Sequence, residues 1–154
     1  MSIEAKIKEL GIVLPNSPAP VANYLPVVRT GNLIYLSGMG PAPSLDGKEF
    51  LGKLGKDLSI EEGYQAARLT GINILARLQG YLSDLEKVSR IVKVLSMVNA
   101  SPDFFDPPAV TNGCSDLVVE VFGDKGKHAR SAIGVASLPN NWPIEIEIIA
   151  EISD

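Results

Sequence analysis

The chain of 154 residues has one cysteine, one histidine and one tryptophan, and aromatic residues make up only 6% of it. A single thiol excludes an intramolecular disulfide, so the fold needs no oxidising compartment. One Cys with one His is too small a donor set for a structural zinc site, and no metal or cofactor is expected. No apolar run approaches the roughly 18 residues that a membrane span requires. The opening MSIEAKIKELGIVLP mixes Glu and Lys through its apolar positions. It therefore lacks the uncharged core of a signal peptide, and a cytoplasmic location is the expectation. The net charge of −4 gives no basic excess of the kind that drives association with phosphates. The densest basic cluster is Lys125, Lys127 and Arg130 with His128, enough for a local anion and thin for a polymer. Gly38-Met39-Gly40 lacks the third glycine and the strand–turn–helix setting of a dinucleotide site.

What is present is an ordinary globular composition, 45% apolar and 21% charged, at a length that predicts one domain over residues 1–154. Ile3, Ile7 and Leu10 at helical spacing predict a helix over residues 2–10, stopped by Gly11, within an N-terminal extension of residues 1–17. Leu14 to Pro20, with three prolines, is irregular. Tyr24–Arg29 and Leu33–Ser37 flank Thr30-Gly31-Asn32 and read as a hairpin. Gly38 to Asp57, rich in Gly and Pro, reads as a long surface loop. Ser59 and Glu62 form a capping box for a helix over Ile60 to Leu82, with Tyr64, Ala67, Gly71, Ile74, Leu75 and Leu78 as its apolar stripe. Val88–Val98 is a strand. A second helix starts at Pro107-Pro108 and ends at Gly123. Ala129–Ala136 and Ile144–Ile152 are strands. In the last of these, Glu145, Glu147 and Glu151 alternate with apolar residues until Ile149 interrupts the polar face. The order gives an α+β fold, a mixed sheet with two helices packed on one face. Ile149 and Val94 suggest that the other face is not wholly polar, so that another subunit covers part of it.

ARSAIGVASLP at Ala129–Pro139, followed by IEIEIIAEI, resembles the C-terminal signature of the RidA (YjgF-type) family. PAPVANY at residues 18–24, GNLIYLSG at residues 31–38 and Asn112 in VTNGCSD agree with it. Ala22-Asn23 departs from the Gly-Pro of archetypal members, Ala132 from their cysteine, and the loop after Gly38 is longer. The resemblance implies a chorismate-mutase-like fold, a homotrimer with clefts between subunits, and no cofactor. It also implies hydrolytic deamination of 2-aminoacrylate-type enamines and imines to 2-oxo acids and ammonia. Some family members have instead been described as endoribonucleases or translation inhibitors.

Within that resemblance Arg130 is the residue to grip a substrate carboxylate, because a planar guanidinium offers two parallel charge-assisted hydrogen bonds. Glu145 takes the position of the family glutamate near a bound water, where it would orient that water or carry a proton. As a tooth of an amphipathic strand it has an equal structural reading. Tyr24 stands between substrate contact and core packing. Ser37 and Gly38 stand between a cleft floor and a tight strand end. Asn112 is divided between organising a helix start and touching ligand. Cys114 reads as a buried structural thiol, since nothing orients it toward His128 as a nucleophile. Trp142 fits either a cleft or plain packing. Two rival functions remain at this point. One is a non-catalytic module for small carboxylates such as 2-oxo acids. The other is an RNA-cleaving enzyme, against which the acidic composition counts.

Overall fold

The structure is a computed structural model that describes residues 1–17 and 22–154. Pro18 to Val21, part of the proline-rich lead to Tyr24, lie outside the described residues. A first helix, α1 (Ile3–Glu9), precedes a hairpin of β1 (Val27–Thr30) and β2 (Leu33–Leu36). Helix α2 (Ile60–Leu82), strand β3 (Val88–Asn99), helix α3 (Pro107–Phe122), β4 (Ala129–Val135) and β5 (Ile144–Ile152) follow. The strands form one sheet in the order β1-β2-β5-β3-β4, antiparallel throughout except for the parallel β3–β4 pair. That pair is joined across α3, the long crossover that parallel neighbours require.

Local chemistry accounts for the element ends. Ser59 and Glu62 make the reciprocal capping box at the start of α2, satisfying donors that the first turn leaves unpaired. Asp106 caps α3 by accepting from the Ala109 amide, with the prolines at its first two positions. The hairpin is shorter than the residue pattern suggests. β1 begins at Val27 because Pro26 has no amide to donate. Ser37 secures the segment ahead of it instead, its amide donating to the Pro26 carbonyl and its hydroxyl to the Leu25 carbonyl at 2.7 Å.

Both long helices lie on one sheet face. Ile74, Leu75 and Leu78 of α2 and Leu117 and Val118 of α3 share a core with Ile34, Ile91, Val94, Ile146 and Ile148 of the sheet. Gly113 lets the helices meet closely, since a Cβ there would strike the Tyr64 carbonyl oxygen. Val94 faces this core, a correction to the expectation that it belongs to the outer face. The register of β3 against β5 slips between Ile91 and Lys93, and that bulge brings Ile91 and Val94 to the same side. The outer face carries Val28, Tyr35, Leu95, Met97, Ile133 and Ile149, with Lys93, Glu145 and Glu147 among them. Val28, Tyr35 and Ile133 are more than two-fifths exposed there, each at 42% or above. Ile149 therefore does lie on a mixed rather than a polar face.

The segment from Gly38 to Asp57 is irregular, but it is more than a surface loop. Met39, Ala42, Phe50 and Leu54 are buried. Met39 and Ile146 exchange both backbone hydrogen bonds, and the Leu54 amide donates to the Asn99 carbonyl. Lys53 donates through Nζ to Asn99 Oδ1 at 2.7 Å and to the Ala136 carbonyl. Backbone groups that the segment cannot pair internally thus find partners at the end of the sheet.

Candidate functional site

Arg130 is the second residue of β4, aligned with Val94, so its side chain rises on the helix-covered face at the sheet edge. There Nη1 donates to Asn112 Oδ1 at 2.9 Å and to Ser115 Oγ at 3.1 Å. Asn112 and Ser115 are three residues apart on α3, the spacing that puts two side chains on one helix face. Both Nη1 hydrogens are thereby committed to the protein. Among the described residues Arg130 makes no other side-chain hydrogen bond, which leaves the Nε/Nη2 edge to receive a planar anion. His128 completes the cluster, with Nε2 at 2.9 Å from Ser115 Oγ and Nδ1 at 2.6 Å from the Gly126 carbonyl oxygen. The wider basic cluster does not converge here, for Lys127 turns to Asp124 at 2.8 Å.

Glu145 belongs to a second group. It is the second residue of β5, aligned with Met97, on the outer face. Gly38 lies against it: a Cβ at that position would stand 2.8 Å from Glu145 Oε1 and 3.0 Å from Cδ, so any side chain there would make the carboxylate shift. No hydrogen bond is made by the Gly38 backbone among the described residues. Burial first, and the neighbouring Glu147 charge second, push the Glu145 carboxyl above the ordinary carboxylate range. Tyr24 is 47% exposed on the bend ahead of β1, which overturns the core-packing reading, and its phenol interacts electrostatically with Arg77 of α2. Ser37 is joined to that same bend. A concavity of about 360 Å³ over the outer face is lined in part by Val28, Tyr35, Ser37, Lys93, Leu95 and Glu147. Another, of about 220 Å³ beneath the long loop, is lined by Phe50, Leu69 and Trp142 and contains neither Arg130 nor Glu145.

The sequence-derived candidates therefore fall into two sets within one chain. Arg130 and Asn112 are brought together on the helix side, Gly38, Glu145 and Ser37 lie on the other, and Tyr24 joins neither set. Asn112 sits in the second turn of α3 and does not organise the helix start, which Asp106 caps. Its contact is with the arginine. Cys114 is fully buried, and burial pushes its thiol up to about 12 despite the opposing Arg130 charge. Trp142 packs over Gly40, where a Cβ would lie 2.5 Å from its ring. His128 was already grouped with Arg130 in the basic cluster, whereas Ser115, which joins the two, was missed. The available signal for Ser115 was a weak one, its helical spacing from Asn112.

A mixed five-stranded sheet with its helices on one face and a candidate anion anchor at the edge defines the chorismate-mutase-like α+β class. Residues 4–152 match the family model described as "YjgF/chorismate_mutase-like, putative endoribonuclease", and the chain belongs to this family. The resemblance carried by Ala129–Pro139 and its companion segments is thereby borne out. Among solved structures, Atu1372 of Agrobacterium tumefaciens, a protein of unknown function, is 42% identical with a TM-score of 0.89, over 99% of this chain and 94% of that one. Protein TCP17 of Trypanosoma cruzi is 39% identical over 99% of this chain and 95% of its own length. A 2-iminobutanoate/2-iminopropanoate deaminase of Dermatophagoides farinae is 30% identical over 92% of this chain and 94% of its own.

Proposed function

We propose that this protein hydrolyses reactive 2-aminoacrylate-type enamines, through their imine tautomers, to 2-oxo acids and ammonia, in a cleft formed between two copies of the chain in a homotrimer. The observation that carries this reading is the free Nε/Nη2 edge of Arg130, held by Asn112 and Ser115 as a docking edge for a small carboxylate. The similarity to a named imine deaminase along nearly the full chain supports the same substrate class.

The chemistry needs a fixed carboxylate, a water and a proton carrier. Arg130 binds the carboxylate of the iminium acid and sets the imine carbon in line for attack. Glu145 of the adjoining subunit, whose proton affinity burial raises above that of an ordinary carboxylate, takes a proton as water adds to that carbon. It returns the proton to the amino nitrogen of the carbinolamine. The C–N bond then breaks, and the iminium acid plus one water become the 2-oxo acid plus ammonium. Gly38 and Ser37 would line the cleft on the Glu145 side. The outer sheet face, apolar at Val28, Leu95, Met97 and Ile133, is the surface that the other copies would cover. An RNA substrate finds less support, because no lysine or second arginine hydrogen-bonds into the Arg130 cluster among the described residues.

The test generates 2-aminoacrylate in place with a serine dehydratase and follows pyruvate release. Faster release with this protein than without it is the expected result, and an unchanged rate would overturn the reading. Glu145→Gln separates catalysis from mere binding, since a binding module would retain its affinity for 2-oxo acids and have no turnover to lose.

A further inference from the structure

The hydrogen bonds running from Arg130 through Ser115 to His128 have a direction that chemistry alone assigns. The Gly126 carbonyl oxygen only accepts, so His128 Nδ1, 2.6 Å away, carries a proton and donates it. In the neutral tautomer with that proton on Nδ1, Nε2 is an acceptor, and the Ser115 hydroxyl donates to it across 2.9 Å. The Ser115 lone pairs are left facing Arg130, whose Nη1 donates to them at 3.1 Å. Asn112 Oδ1 receives the second Nη1 hydrogen at 2.9 Å.

From this geometry we infer that His128 is a positioning residue for Arg130, acting through Ser115. The inference rests on the reading of Arg130 as the carboxylate anchor. One acceptor on Nη1 leaves a guanidinium free to swing about that contact, whereas two acceptors fix its plane. Asn112 is exposed and supplies the first acceptor. Ser115 is half-buried and supplies the second, provided that its hydroxyl hydrogen points elsewhere. A serine within a helix has a competing partner in the carbonyl four residues earlier, here that of Thr111, and turning to it would draw Oγ back toward the helix. The His128 Nε2 lone pair holds the hydroxyl away from that alternative, and the Gly126 carbonyl fixes the tautomer. The Nε/Nη2 edge of Arg130 is thereby kept in one orientation.

The experiment compares wild type with His128→Leu, His128→Gln, Ser115→Ala and the Ser115→Ala/His128→Leu double variant. The ligand-free readout is rotation about the Arg130 Cζ–Nε bond, followed in ¹⁵N-labelled protein. It should be restricted in wild type and His128→Gln, whose carboxamide oxygen still accepts from Ser115, and faster in His128→Leu and Ser115→Ala. Affinity for 2-oxobutanoate should fall roughly three- to tenfold in His128→Leu, the range for one lost hydrogen bond. The double variant should be no weaker than Ser115→Ala, because both changes cut one chain of bonds. Restricted rotation persisting in His128→Leu, or losses that add independently, would overturn the inference. If His128→Leu fails to fold, Ser115→Ala with His128→Gln decides it: Arg130 unchanged in the former, or freed in the latter, counts against. Should wild type neither bind 2-oxobutanoate nor hydrolyse imines, the functional reading falls, while the rotation measurement still decides the positioning role.

Discussion

Arg130 and Glu145 stand on opposite faces of one sheet, Arg130 aligned with Val94 toward the helices and Glu145 with Met97 away from them. Two strand spacings, about 10 Å, separate β4 from β5, and the side chains diverge from there. The two residues cannot act on one small molecule within a single chain. If they share a substrate, the site is made by two copies. Mixing Arg130→Ala with Glu145→Gln subunits should then restore activity that neither variant has alone. Random assembly of a 1:1 mixture into trimers regenerates about a quarter of the sites. Activity assayed after denaturing and refolding the two variants together checks this, and no recovery in a sized trimer would argue against a shared site.

Arg130→Lys keeps the charge and loses the planar edge, so it separates a point-charge anchor from a two-pronged one. The expected loss in kcat/KM is on the order of 1.5–3 kcal/mol, or one to two powers of ten. Arg130→Ala should lose more. Its assembly should be unchanged by light scattering, because the side chain lies at the sheet edge outside the apolar core. Full activity in Arg130→Ala at unchanged assembly would place the site elsewhere.

The raised Glu145 carboxyl also has a consequence for stability. The folded state holds this proton to higher pH than the unfolded chain does. The contribution therefore favours the fold below the ordinary carboxylate pKa and is lost as pH rises through the raised value. Glu145→Gln has nothing to titrate there. Its Tm should exceed that of wild type near neutral pH, and the difference should close at about pH 4 and below. Melting curves across that range decide the matter, and a variant less stable at neutral pH would contradict the sign.

Cys114 should be inert in the native protein, being fully buried with its thiol pushed up to about 12. A thiol reagent should label it only as the protein unfolds, and activity should be indifferent to mild reductant. Stability from this source is complete below the ordinary thiol pKa of about 8.5 and declines as pH climbs toward the raised value. Rapid labelling of folded, active protein would show that the residue is accessible after all.

The sequence alone was sufficient for features set by neighbours along the chain. The capping box at Ser59 and Glu62, the prolines opening α3 and the alternation of β5 each encode an element locally, so α2 and the last strand were legible to their ends. Family membership was equally legible, because Ala129–Pro139 carries it in one stretch. Tertiary structure decided what depends on register and phase. The bulge between Ile91 and Lys93 turned Val94 inward, and no periodicity count reveals a slip of pairing. The long loop became part of the core because its amides and carbonyls found partners at Asn99 and Ile146, residues distant in sequence. The partition of Arg130 and Glu145 between two faces, and the gathering of Ser115 and His128 around the arginine, arose in the same way. Side-chain direction follows from strand pairing and helix docking, and both are properties of the assembled sheet rather than of any segment within it.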